Sequence, residues 1–208
     1  MATNNVSSFL QVIGQGVKPN MFNVDIQFPG GFSDATINDL AGGDLASDGA
    51  GALIGKELTS ILCKSAALPG SNLGVIEVPF RGRVLKIAGD RTFEPWTITV
   101  MNDSEFKMRS AFELWASSIQ AYNENFTSAG TLGDNSDSSG YFADMTVHQL
   151  ARDLKDGESP KILKSYKFYN IFPSNIAAID LDYGNNDAVE EFTVEMQVQY
   201  WKPVIAGS

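Results

Sequence analysis

The chain has one cysteine and one histidine in 208 residues, and no run of eighteen apolar residues. A single cysteine excludes an intrachain disulfide and a thiolate-built zinc cluster. The missing apolar run leaves no candidate transmembrane helix. The N-terminus, MATNNVSSFLQVIGQG, carries neither a basic segment nor a long apolar one, so no signal peptide and no membrane insertion are expected. There is no Walker loop, no dinucleotide fingerprint and no histidine cluster at metal-ligand spacing. Cys63 and His148 are the one available nucleophile–base pair, and neither sits in a local catalytic signature. Cys63 reads as a small buried hydrophobe and His148 as an ordinary strand residue. The paired carboxylates Glu190-Glu191 and Asp180/Asp182 read as solvated faces. No catalytic residue, cofactor or resident metal is expected.

Bases are also scarce. Fifteen Lys and Arg stand against twenty-five Asp and Glu, for a net charge of −10. One reading is plain solubility. The other is a wall that faces a polyanion without gripping it, since binding DNA phosphates takes Lys and Arg. Both argue against a sequence-reading DNA binder.

What is present is strand and turn signal. The length suits a single domain spanning 1–208, and such a chain buries roughly 70% of its unfolded surface without a disulfide or metal staple. Residues 1–20 read as a loose arm, with Gly14, Gly16 and Pro19 breaking any helix. Met21–Phe28 alternates cleanly, with Phe22, Val24, Ile26 and Phe28 on one face. Residues 29–55 contain seven Gly, four Asp and no Lys or Arg, which marks a long loop insertion. Its Gly/Asp mix lacks the regular ligand spacing of a calcium loop. A strand is expected over Glu57–Ala66. The densest stretch follows, Leu68–Val100, with strands at Val75–Val78 and Phe80–Ile87, and a return strand in which Trp96, Ile98 and Val100 share a face. The turn signal at Ala88-Gly89-Asp90-Arg91 predicts a hairpin closing there.

One helix is expected at about 103–122. Asn102, Asp103 and Ser104 are good caps, Glu105 completes a capping box, and Met108, Ala111, Phe112, Trp115, Ile119 and Tyr122 form its apolar face. Thr127–Gly140 reads as a polar loop. Strands are expected at Ala143–Leu154 and Ile162–Phe172, with Asp156-Gly157 between them. Pro173-Ser174-Asn175 should break the chain before a short strand at Ile176–Leu181. The last strand, Glu191–Trp201, points Phe192, Val194, Met196, Val198 and Tyr200 inward. The sum is a mainly β (α+β) fold: a barrel-like antiparallel sandwich with one flanking helix and long loops.

Several stretches carry a more specific signal: LPGS at Leu68–Ser71, AGDRTFEPWT at Ala88–Thr97, the ND-x-x-F-x-x-R-x-AFE pattern at Asn102–Glu113, and IDLDYG with EEFTVEMQVQYW near the C-terminus. In this order they resemble the tail tube proteins of T4-like contractile-tail bacteriophages, over most of the chain. The 29–55 stretch is covered worst. The resemblance implies a β-barrel-like fold shared with type VI secretion tube subunits. It implies a structural virion protein, not an enzyme, that forms stacked hexameric rings. The implied partners are further copies of itself, the sheath, a tape-measure protein in the lumen, a baseplate initiator and non-specifically passing phage DNA. The implied locations are the virion tail and, during assembly, the host cytoplasm.

Asp90, Arg91 and Glu94 lie in the resembled motif. They either pair locally at a turn or set register at a subunit contact. Arg152, Lys155, Lys161, Lys164 and Lys167 form a basic cluster that is either a solvated face or a partner for an acidic patch on a neighbour. Two other readings stay open. One is a tube subunit of a phage-derived injection or secretion system with protein cargo. The other is a monomeric β-sandwich that binds a ligand or acts as a weak hydrolase, dependent on His148 or Cys63.

Overall fold

The computed structural model describes residues 6–14, 16–29, 60, 62–123, 140–155, 159–184 and 186–204. The expected loops at 30–55 and 127–139, the expected strand residues 57–59 and 61, and the Asp156-Gly157 turn lie outside them. The elements are helix α1 (Val6–Ile13), strands β1 (Phe22–Gln27), β2 (Cys63–Ala66), β3 (Asn72–Phe80), β4 (Arg83–Thr92) and β5 (Trp96–Met101), helix α2 (Lys107–Ile119), then β6 (Ala143–Lys155), β7 (Ser159–Ile176) and β8 (Glu191–Val204). Six strands form one antiparallel sheet in the order β1-β6-β7-β8-β5-β2, while β3 and β4 form a separate two-stranded ribbon. The six-stranded sheet rolls until its edge strands β1 and β2 come close, so it is nearly a closed barrel. The mainly β, barrel-like expectation therefore holds.

Period-2 alternation places the core. Val24 and Ile26 of β1, Ile98 and Val100 of β5, and Phe192, Val194 and Met196 of β8 are all buried, as read from the sequence. Helix α2 closes the same core with Met108, Phe112 and Trp115, while Ala111 is buried beside Phe28 and Leu114. Phe112 meets Phe192 edge-on at 6.4 Å. The two most buried indoles each donate to a backbone carbonyl: Trp115 Nε1 to Tyr141 O at 2.8 Å and Trp96 Nε1 to Ala67 O at 2.6 Å. Burying these rings therefore strands no N–H donor.

Several expectations are corrected. Residues 1–20 are not uniformly loose: Val6–Ile13 is helical and ends at Gly14, whose left-handed φ of 55° and N–H bond to Leu10 O form the stop. Ser60 and Leu62 are helical, so the strand begins only at Cys63.

No hairpin closes at 88–91. The ribbon turns at Arg81-Gly82, with φ of 45° and 81°, between the paired residues Phe80 and Arg83. Two consecutive left-handed residues are the type I′ geometry that suits strand twist. Residues 88–91 instead contain a bulge, where Gly89 and Asp90 oppose Gly74. A Cβ on Gly89 would lie 3.2 Å from the Gly74 backbone, so a side chain at this crossing would force the strands apart by a few tenths of an ångström. The return strand β5 pairs with β8 and β2, not with β4.

The α2 capping box does not form. Phe106 takes a left-handed turn immediately before the helix, and Asp103 Oδ1 accepts the Lys107 N–H at 3.0 Å from outside it. Glu105 pairs with Lys107, and Asn102 ties its backbone and side-chain amides to Glu190. Tyr122 lies beyond the helix and is exposed.

Pro173 does not break the chain. β7 runs through it with a bulge between Pro173 and Asn175, and residues 177–181 form no strand. A second bulge sets Tyr169 and Asn170 opposite Asp144. There Asn170 adopts φ 52°, its N–H bonds Asp144 Oδ1 at 3.3 Å, and Lys167 reaches Asp144 Oδ2 at 2.9 Å.

Candidate assembly surfaces

The least expected surface is the ribbon. Every residue of β3 is exposed, and all of β4 except Gly89. Cross-strand register sorts its side chains by face. Ile76–Ile87 and Val78–Leu85 lie on one side with Phe80 at the tip. Glu77–Lys86 lies on the other, as an ion pair 3.8 Å apart. The Arg81 guanidinium stacks 5.4 Å over the Phe80 ring. An isolated two-stranded ribbon is marginal in water, and a contiguous apolar face of this kind is the mark of an interaction surface. The sequence read Val75–Val78 and Phe80–Ile87 as apolar strands. It could not reveal that neither face meets the subunit's own core.

Asp90 and Arg91 sit at the ribbon's foot, Arg91 paired with Leu73, and Glu94 lies in the connection to β5. All three are exposed, and none makes a salt bridge among the described residues. The bulge brings Asp90 and Arg91 to one point in the fold. It does not converge them with Glu94 on a pocket. Arg109, in the same resembled motif, has an internal task. It bonds Glu113 Oε1 at 2.7 Å and Ala177 O at 3.2 Å while lying over Phe192, and so fastens α2 to the end of β7.

The hydrolase pair is not assembled. Cys63 points into the core, and burial pushes its thiol up to about 11, away from the reactive thiolate. His148 follows the inward-facing Val147 on β6, so it occupies the other face of the sheet, with Nδ1 2.7 Å from Ser165 Oγ. The sheet itself separates the two. Among the described residues no group of three or more His, Cys, Asp or Glu could hold a metal ion, and no helix is long and apolar enough to cross a membrane.

The basic cluster divides. Lys167 is engaged with Asp144, and that hydrogen bond raises its pKa above the usual lysine value. Arg152, Lys161 and Lys164 are exposed. Further exposed apolar residues cluster on α1 (Val6, Phe9, Leu10, Ile13) and in the connection from β7 to β8 (Leu181, Tyr183, Val189).

A rolled β-subunit with an exposed apolar ribbon and, among the described residues, no converging reactive groups has the character of a self-assembling structural protein. The sequence profile of the phage tail tube protein family matches residues 17–203. The tail tube protein of Enterobacteria phage T4 is 29% identical over 189 residues, covering 91% of this chain and 93% of that protein. Two solved structures share the fold. One is the sheath–tube complex of the PVC extracellular contractile injection system in its extended state, with TM-score 0.52 and 14% identity over 97% of this chain and 99% of that one. The other is the sheath/tube terminator of the same system, with TM-score 0.55 and 13% identity over 91% and 96%. The chain belongs to the phage tail tube protein family. It is a structural subunit of the tail tube of a contractile-tail phage, and so a component of the virion's tail.

Proposed function

We propose that this subunit closes into hexameric rings that stack into a hollow tube, and that DNA passes through the lumen into the host. The observation that carries this reading is the β3–β4 ribbon, whose apolar face is left exposed among the described residues of its own subunit and gains a cover when a neighbour packs on it. The whole chain acts as one tube domain, with 1–20 as an arm and 29–55 as an elaboration on it. The sheath surrounds the tube, a tape-measure protein fills it during assembly in the host cytoplasm, and a baseplate initiator starts it. The action is mechanical and electrostatic, with no chemical turnover. The acidic balance, −10 overall, disfavours adhesion of a passing polyanion to the wall. Phage DNA is therefore the better-supported cargo than protein.

Negative-stain electron microscopy of the purified full chain at rising concentration tests this. Six-fold rings or hollow tubes are expected, alone or on a matching baseplate. A monodisperse monomer that stays monomeric with the baseplate present overturns it.

A further inference from the structure

Strands β7 and β8 lie side by side, and their register fixes which residues share an end of the barrel. Ser165 pairs with Val204 at one end and Ile176 with Val194 at the other. The ten steps from Val194 to Val204, at about 3.3 Å each, separate these ends by roughly 30 Å.

The ends differ in sign. The connection that closes one end, residues 177–191, holds five carboxylates and neither Lys nor Arg. Lys64 approaches it and is paired with Glu191. Asp180, Asp182 and Asp187 remain exposed around Leu181 and Tyr183, which are almost wholly in solvent. At the opposite end the exposed bases Arg152, Lys161 and Lys164 are joined by Lys202 from β8. Lys161, Lys164 and Lys202 make no ion pair among the described residues, and they flank the exposed Ile162 and Leu163. On the described surface each end thus sets exposed apolar side chains beside charge predominantly of one sign.

Like ends repel, so a self-complementary contact at either end is disfavoured. Opposite ends attract and bring apolar patches together. A contact that joins two different surfaces of one chain repeats without closing, and it propagates as a directional stack. Resting on the tube reading above, we infer that the acidic Asp180–Val189 end of one subunit docks on the basic Lys161/Lys164/Lys202 end of a second copy in the next ring. Successive rings then stack head to tail along the β7–β8 direction.

Two full-length variants test this: Asp180→Lys with Asp182→Lys and Asp187→Lys, which leaves three bases against two carboxylates at the acidic end, and Lys161→Glu with Lys164→Glu and Lys202→Glu, which gives the basic end an excess of acids. Tube length is read by negative-stain microscopy and sedimentation. Each variant alone is expected to lose stacking, with mean tube length falling about ten-fold or more. An equimolar mixture is expected to regain tubes by alternation, which a folding defect cannot produce. Wild-type tubes are expected to shorten between 0.1 and 1 M salt, as the screening length falls from about 10 to 3 Å. Full-length tubes from either variant alone, or no recovery on mixing, overturn the head-to-tail contact while leaving the tube reading intact. Normal tubes from the Lys→Glu variant with loss of DNA retention place DNA, not a second copy, at the basic end and also overturn it. A wild type that forms no tubes with a baseplate present overturns both.

Discussion

The six-stranded sheet and the β3–β4 ribbon are built from the same kind of sequence and meet opposite fates. In β5, Trp96, Ile98 and Val100 alternate with polar residues and are buried. In β3, Val75, Ile76, Val78 and Phe80 are just as apolar and all exposed. Composition does not separate them. The connections do: β5 is laid between β8 and β2 and shares its core with α2, whereas among the described residues β3 and β4 pair only with each other. Apolar strands in a monomer thus divide into those that hold the subunit together and those that await a partner.

The largest effect on stability belongs to the sheet side of that comparison. Phe112→Ala opens the centre of the core and should cost about 3–5 kcal/mol of unfolding free energy, measured by urea denaturation. A loss under ~1 kcal/mol would mean that the α2–sheet core is not what holds the subunit.

Cys63 comes next, and its effect depends on pH. Its folded-state pKa of about 11 exceeds the ordinary value of 9.0, because burial favours the neutral thiol. The associated stability is complete below pH 9 and is lost as pH climbs toward 11, by roughly 2–3 kcal/mol. In Cys63→Ala the alkaline loss should shrink by that amount, whatever its stability at neutral pH. An unchanged alkaline slope would show the thiol to be accessible.

On the ribbon the order inverts. The pair Ile76→Asp with Ile87→Lys should change subunit stability by less than ~1 kcal/mol, because both side chains are already about half exposed and the new charges oppose each other with opposite sign. The same pair should abolish rings and tubes in micrographs. Normal tubes would remove the ribbon from the interface.

Charge reversal at Arg91 or Glu94 should have the mildest outcome, shortened or irregular tubes in a fully folded subunit. Normal tubes from the Arg91→Glu, Glu94→Lys double variant would deny that foot of the ribbon a role in register.

Much of the sheet was legible because burial on one side leaves a period of two, and β1, β5 and β8 retain it without interruption. The face of α2 was legible for the same reason at helical period. Three things were hidden. Gly89-Asp90 has turn composition but is a bulge, because Gly74 opposite it admits a backbone crossing. Arg81-Gly82, the true turn, lacks the Asn-Gly or Asp-Gly signature that usually announces two left-handed residues. Pro173 reads as a breaker, yet a bulge accommodates it within β7. Of the candidate site, the charges at 90, 91 and 94 were visible as a motif. The apolar ribbon above them was not, since a sequence records which residues are apolar and not whether anything covers them.

The placement of the three tryptophans has an optical consequence. Trp96 and Trp115 are sealed in the core, and the ribbon contains no Trp or Tyr at all. Their emission should respond sharply to unfolding and scarcely to a neighbour's arrival. Trp201 is only partly buried and stands edge-on to Phe93, 6.4 Å away, just past the ribbon's foot. It is the fluorophore nearest to any movement of that hinge. Folding and docking can thus be followed as separate signals in one cuvette, with no label attached.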